Sequence, residues 1–494
     1  MIHNNNITAL ILLLCSTISI AACNNDKKKE VQGKQVSSYT TTADESKIFD
    51  VAMIDFDQET SLDANIILDT TIKHQTMDGF GVAITGSSCY NLLQMSSQNR
   101  TAILKETFHP RQGMAYSYIR ISIGCSDFSL DEYTCCDIPP IDNFEIHQLD
   151  KRDLFPILRE IKAINPNVKI IASPWTCPKW MKVDNLKDLQ AFDSWTSGQL
   201  NPKYYQDYAT YFVNFIQEMS KEGFPINAIT IQNEPLNRGN SASLFMTWQE
   251  QKEFIKTALG PKFTEASLDT EIWAFDHNYD YDAHKDDCKD QIAYPLRIYE
   301  DQEAAQYISG AAYHAYGGNV GEMLRVHEQR PDKGLIFTEM SIGLWGSGYT
   351  FANDLLWNMR EVCIGSINNF CKAVIMWNYM LDEKHGPDRP GGCDICLGAI
   401  DIQSSDYASI KKNSHYYTMA HLSKVIDPNA IRIGSHHSLD SGIHYSAFIN
   451  PDQSYAIVLL NDNDMDKEIV FTDNNQSFRQ IVEAKSVVSY RWSR

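Results

Sequence analysis

Two glutamates carry the chemistry that can be read first. Glu234 ends the run Ala228-Ile229-Thr230-Ile231-Gln232-Asn233-Glu234, and Glu339 ends Gly334-Leu335-Ile336-Phe337-Thr338-Glu339. A pair of carboxyl groups is what hydrolysis of a glycosidic bond requires: one protonates the leaving oxygen, and in retaining enzymes the other attacks the anomeric carbon. Asn233 sets an amide beside Glu234, well placed to hold a sugar hydroxyl. Taken singly, each glutamate also fits an ordinary loop carboxylate. Their company adds weight. Arg120 lies inside the apolar run Tyr118–Ile123 and Asp127 follows its end; Trp175, His314 and Trp377-Asn378 close three more runs. His314 alone also reads as a satisfied core histidine, and Trp175 or Trp377 as rim packing, but so many coincidences on one face are hard to explain by core packing.

Such residues need a scaffold that gathers the ends of several strands. Eight short apolar runs begin at Gly79, Tyr118, Lys169, Ala228, Glu271, Ile308, Gly334 and Ala373, with helical patterns between them. Asn201 can cap one helix, with Pro202 in its first turn, and Tyr204, Tyr208, Tyr211, Phe212, Phe215 and Met219 follow a 3.6-residue period. Thr247-x-x-Glu250 forms a capping box for another. Eight strand–helix units predict a closed (β/α)8 barrel over residues 77–422, whose catalytic groups belong at the carboxyl ends of the strands. After it, Tyr455–Leu460, Glu468–Phe471 and Ser486–Tyr490 are β-rich runs without intervening helices. They predict an antiparallel β-sandwich over 423–494, joined by extended residues 48–76.

Composition limits the partners. The chain has 494 residues, with 43 Lys and Arg against 63 Asp and Glu, a formal charge of −20. That balance argues against nucleic acid and suits a neutral polysaccharide. Hydrophobic residues make up 43%, enough for a large core, which excludes a disordered chain. Residues Ile7 to Ala22 are apolar or small, too short a run for a membrane span, and end in Ala21-Ala22-Cys23. This predicts a lipoprotein signal over 1–22, lipid on Cys23 and a polar tether over 23–47, although no Lys or Arg precedes the apolar run. A plain cleaved signal with an incidental cysteine is the alternative. The expected location is an outer-membrane or cell surface of a Gram-negative-type bacterium, with membrane contact only through that lipid. Of the 12 cysteines, Cys393-x-x-Cys396 is the tight pair besides adjacent Cys135-Cys136. A disulfide or buried thiols fit it better than zinc, which wants further ligands. No phosphate-cradling glycine loop is present, so neither cofactor nor metal is expected.

The ordered set of motifs resembles glycoside hydrolase family 30, the group of glucosylceramidases and bacterial β-1,6-glucanases. The motifs are Gly79-Phe80-Gly81, Arg120, Cys125-Ser126-Asp127-Phe128-Ser129, Ser173-Pro174-Trp175-Thr176-x-Pro178-x-Trp180, Asn233-Glu234-Pro235, Thr338-Glu339 and Trp377-Asn378. The resemblance covers residues 48–494 and implies a barrel with a sandwich built from both termini. It implies Glu234 as acid/base and Glu339 as nucleophile. Asn233 would hold the 2-hydroxyl, and Asp127, Trp175 and Trp377 the 3- and 4-hydroxyls. Arg120 would keep Glu339 ionised, with His314 and Tyr316 on the nucleophile side. Two stretches depart from the glucosylceramidase-like pattern: Gly81-Val82-Ala83-Ile84-Thr85-Gly86, and Gly391-Gly392-Cys393 where those members offer an Asn towards C6. The second is read as open space beside O6, which favours endo cleavage of a β-1,6-glucan. An exo-acting β-glucosidase or glucosylceramidase is the alternative, and a non-catalytic glycan-binding lipoprotein a more remote one.

Overall fold

The computed structural model describes residues 35–57, 64–240, 242–279, 289–473 and 475–493. Cys23, the signal and the tether as far as residue 34 lie outside them. Eight parallel strands close into a barrel: β1 (Gly79–Ala83), β2 (Tyr118–Ile123), β3 (Lys169–Pro174), β4 (Ala228–Thr230), β5 (Glu271–Asn278), β6 (Gly310–His314), β7 (Gly334–Glu339) and β8 (Cys371–Met376). Each corresponds to one of the eight apolar runs. Run four is strand only as far as Thr230, so Asn233 and Glu234 stand on the loop beyond it.

Strand alternation decides what fills the barrel. Tyr118, Ile171, Ala228, Trp273, Ala312, Ile336, Ala373 and Ile375 form one buried cluster inside it. Inward positions recur every second residue. Two residues further along, the same alternation turns Arg120, Ser173, Thr230, His314, Thr338 and Trp377 towards the carboxyl-end mouth. The outer core is packed by helices such as Tyr205–Lys221, which buries Tyr208, Tyr211, Phe212, Phe215 and Met219. Asn201 accepts from the Lys203 N–H at the short 3-10 turn Pro202–Tyr204 just before it. The Thr247/Glu250 capping box is formed in both directions.

The remaining long strands make one nine-stranded sheet. Its order is Asp50–Asp55, Gln35–Thr42, Ser486–Trp492, Tyr455–Asn461, Ile443–Ile449, Ile431–His437, Ile66–Thr76, Lys467–Thr472 and Ser477–Val482. The polar tether expected as far as residue 47 is corrected here. Gln35–Thr42 is a strand, paired antiparallel with Ser486–Trp492 from Ser37↔Arg491 to Thr42↔Ser486. Its Val36, Ser38, Thr40 and Thr41 are buried, and small hydroxyl residues disguise that alternation as a polar stretch. The sheet lays one face on the barrel and buries the other in a core of its own. All of Tyr455–Asn461 is buried; Tyr455, Ile457 and Leu459 enter the sandwich core, whereas Ala456, Val458 and Leu460 join the barrel's. On helix Ser414–Ser423, His421 bridges Ser489 and Thr41 at 2.8 and 2.9 Å, and burial lowers its pKa to about 3, keeping it neutral.

Candidate active site

A bulge in β5 builds the floor of the site. Period-two alternation from Trp273 would turn Phe275 inward, but the register against β6 shifts between Phe275 and His277. Phe275 and Asp276 take φ of +71° and +68°, a conformation that non-glycine residues enter at a cost. Phe275 joins the outer core and Asp276, with no exposed surface, faces the other strand ends. There Asp276 Oδ2 accepts from Arg120 at 2.8 Å and Thr230 at 2.6 Å, while Oδ1 accepts from Thr338 at 2.6 Å and lies 3.1 Å from His314 Nε2. Burial opposes its charge, yet Arg120, His314 and Thr230 hold its carboxyl well below the usual range.

Arg120 and His314 divide the two glutamates between them. Arg120 Nη1 donates to Glu339 Oε2 at 2.6 Å, and Nη2 to Asn233 Oδ1 at 2.7 Å. Tyr316 donates its hydroxyl to Glu339 Oε1 at 3.1 Å. His314 Nδ1 stands 3.3 Å from Glu234 Oε1, and Asn237 donates to Glu234 Oε2 at 2.7 Å. Glu234 has φ of +46° and hangs its backbone N–H on the Asp276 carbonyl at 2.9 Å, so the bulge also aims this side chain. His314 Nδ1 lies 3.3 Å from Glu234 Oε1 and 3.9 Å from Glu339 Oε1. With one nitrogen in common, those two oxygens are no more than about 7 Å apart, a bound that admits the roughly 5–5.5 Å carboxyl separation of retaining sites.

The protons distribute unevenly. Burial would raise Glu234, but the His314 hydrogen bond, the charges of His277 and His314 and the Asn237 amide bring it down to about 2. Burial works against charge on His314 too, yet the surrounding Glu339, Asp276 and Glu234 lift it to about 9. One proton therefore rests on the imidazole, a hydrogen bond away from Glu234. Burial raises Glu339; the charges of His314 and Arg120 oppose that, and Glu234 adds to it. Partners separate the two more sharply than these directions do. His314 can hand over a proton at working pH, whereas the Arg120 guanidinium beside Glu339 cannot.

Opposite the glutamates lies a surface suited to hydroxyl groups. Trp175 and Trp377 stack with centroids 5.2 Å apart, and Arg120 Cζ sits 5.0 and 5.5 Å from their rings. Buried Asp127 Oδ1, Trp175 Nε1 and Asn233 Nδ2 have no hydrogen-bond partner among the described residues. Burial and then the charges of Glu339 and Glu234 raise the Asp127 carboxyl well above its usual value. The loop after β8 closes this side. A Cβ on Gly392 would lie 2.6 Å from the Asp127 carbonyl and 3.0 Å from that of Arg389. Glycine is thus required for the loop to press against Asp127, rather than leaving open space beside O6 as the sequence suggested. Cys393 and Cys396 form a disulfide in the same loop, with Cα atoms 5.6 Å apart, the first of the two states expected for this pair.

All nine expected site residues within the described chain therefore lie around one barrel mouth. Sequence reasoning missed Asp276, Thr230, Thr338 and Asn237. Asp276 also ends an apolar run, the signal used for its neighbours, but the alternation read from sequence gives that inward place to Phe275.

Comparison with known proteins decides the family. The chain matches the glycosyl hydrolase family 30 TIM-barrel domain over residues 77–426 and the family 30 beta sandwich domain over 429–490. The chain belongs to glycoside hydrolase family 30. It is 30% identical to the endo-1,6-beta-D-glucanase neg1 of Aspergillus fumigatus over 415 residues, 80% of each chain. It is 27% identical to putative glucosylceramidase 1 of Caenorhabditis elegans over 469 residues, 90% of this chain and 84% of that one. Among solved structures, the endo-beta1,6-glucanase BT3312 superposes with a TM-score of 0.90 at 54% identity, covering 93% of this chain and all of that one. Family 30 membership makes the chain a glycoside hydrolase of the retaining kind, in accord with the carboxylate spacing.

Proposed function

We propose that this family 30 enzyme is a surface-anchored endo-β-1,6-glucanase. The single observation that carries the substrate is its 54% identity, across the whole of the matched chain, to an endo-beta1,6-glucanase. Residue roles follow from partners. Glu234, drawing on the proton that rests on His314, protonates the glycosidic oxygen as the bond to C1 breaks, and Glu339 attacks C1 to form a glucosyl ester. Water then attacks C1, giving its proton to Glu234 and releasing Glu339. Arg120 and Tyr316 hold Glu339 in line and stabilise its charge between the two steps. Asn233, its oxygen occupied by Arg120, offers Nδ2 to the 2-hydroxyl. Asp127, Trp175 and Trp377 take the 3- and 4-hydroxyl edge, which leaves O6 and C1 as the points where a chain can continue.

Anchoring rests on Ala21-Ala22-Cys23 at the end of the apolar run. Lipid on Cys23 would keep the enzyme where a large polymer must be cut before import. Cys23→Ala should release the protein or block its processing; membrane retention of a fully processed variant would count against the anchor. A time course on β-1,6-glucan tests the activity. A ladder of oligosaccharides supports endo action. Glucose alone from the earliest points, or good turnover of glucosylceramide beside none of the glucan, favours the exo reading instead.

A further inference from the structure

Beside the catalytic mouth is a cavity of about 440 Å³ lined by Tyr316, Ser341, Trp345, Asn353 and Trp357 among others, within the ~300–1,000 Å³ usual for small-ligand sites. It is contiguous with the nucleophile, because Tyr316 donates its hydroxyl to Glu339 at 3.1 Å while accepting from the Ser341 N–H at 2.9 Å. Trp345 is the feature with no task in the site described above. The residue is 39% exposed and lines this cavity.

The ring is not a loose surface side chain. A Cβ on Gly343 would lie 2.2 Å from Trp345 Cζ3 and 2.6 Å from Cε3, so the indole rests directly on the Gly343 backbone. That backbone is itself pinned. Ile342–Gly343 pairs antiparallel with Cys396–Leu397, and the Leu344 N–H donates to the Ile395 carbonyl at 2.9 Å. Cys396 is tied in turn to Cys393 by the disulfide. After the tryptophan, the Gly348 N–H returns to the Trp345 carbonyl at 3.0 Å, closing a turn. One side of the indole is thus seated on fixed backbone, and Trp345 forms part of the cavity wall. A rigid aromatic surface of this kind suits the apolar C–H face of a pyranose, while the polar rim serves its hydroxyls.

The direction of the bound chain follows from ring chemistry. Trp377, Asp127 and Trp175 reach the mouth from β8, β2 and β3, whereas Tyr316 and Trp345 follow β6 and β7, the strands across the barrel from β2 and β3. In a pyranose, C1 lies across the ring from C4. A glucosyl unit whose 3- and 4-hydroxyls face the first group points C1 and its leaving group towards the second. We propose that Trp345 is the stacking platform for the glucosyl unit on the reducing-end side of the cleaved bond, a residue that sets endo action by gripping the departing chain. This rests on the glucan reading above.

The test compares Trp345→Ala and Trp345→Phe with wild type, measuring KM and kcat on β-1,6-glucan and the partition of the glucosyl–enzyme between water and an added β-1,6-linked glucose disaccharide. For Trp345→Ala a roughly tenfold rise in KM is expected, with a comparable fall in transfer relative to hydrolysis; Trp345→Phe should recover most of both. Unchanged KM and partition in Trp345→Ala would overturn the platform. So would a fall in kcat with the partition intact, which marks a structural effect alone. Wild-type inactivity on the glucan would overturn this inference and the glucanase reading together, whereas wild-type cleavage with an indifferent Trp345→Ala overturns only this one.

Discussion

Glu234 and Glu339 are equally buried, 7% exposed each, and differ in whether their partners can trade a proton. Glu339 faces Arg120 and Tyr316, and Glu234 faces His314. Glu339→Gln is therefore expected to abolish turnover on every substrate, because no nucleophile remains. Glu234→Gln should cost much less on glycosides with good leaving groups, which need little protonation, than on glucan. Equal losses on both substrate kinds, measured as kcat/KM, would reverse or dissolve the assignment. His314 adds a pH dependence whose sign is fixed. Its folded pKa of about 9 lies above the ordinary 6.5. Its contribution to stability is thus fully present below pH 6.5 and is lost as pH rises through about 9. Thermal melts of the wild type should fall across that window more steeply than those of His314→Gln, and the basic limb of the kcat/KM profile should move in the variant. Parallel melting curves would show that the imidazole proton is not held by Asp276 and the glutamates.

Loops after β7 and β8 are coupled through the Ile342–Gly343 and Cys396–Leu397 ladder, and the β8 loop leans on Asp127 through Gly392. The crowding atoms at Gly392 are backbone carbonyls, which cannot swing aside as a side chain would. Gly392→Ala should therefore shift the loop, lowering stability by about 1–3 kcal/mol and raising KM for glucan through a displaced Asp127. Unaltered melting and KM would mean that the loop has slack. The β5 bulge carries a comparable constraint. Two consecutive positive-φ residues, Phe275 and Asp276, put one carboxylate where four side chains converge on it. That network is what over-determines so strained a backbone.

The sheet packs one face on the barrel, so each covers apolar surface of the other. Alternate residues of Tyr455–Asn461 enter two cores, and Arg491 of the C-terminal strand pairs with Asp427 at 2.7 Å and Asp452 at 2.8 Å. Expression of residues 77–426 alone should give aggregated protein, because the barrel face covered by Ala456, Val458 and Leu460 would stand in water. A soluble, active fragment would show that the sheet contributes little.

By itself the sequence determined the eight-unit barrel, the sandwich after it and most of the mouth. Those features are periodic or local: apolar runs, capping residues, and polar residues at the carboxyl ends of strands. Glu234, Glu339, Arg120 and His314 were legible because each breaks an apolar run where a barrel exposes it. Only the tertiary structure decided the rest. Asp276 becomes the hub because a bulge overrides alternation, and no pattern along the chain reports a register shift against a neighbouring strand. Gln35–Thr42 is a strand because Ser486–Trp492 lies beside it, a pairing across more than four hundred residues that short hydroxyl side chains do not announce. Gly392 looks in sequence like missing bulk, and in space it is a close approach of two backbones. Glu234 and Glu339 acquire their different proton affinities from Arg120, His314 and His277, which come from three other strands, because a charge in a buried site answers to what lies within a few ångströms and not to what lies next along the chain.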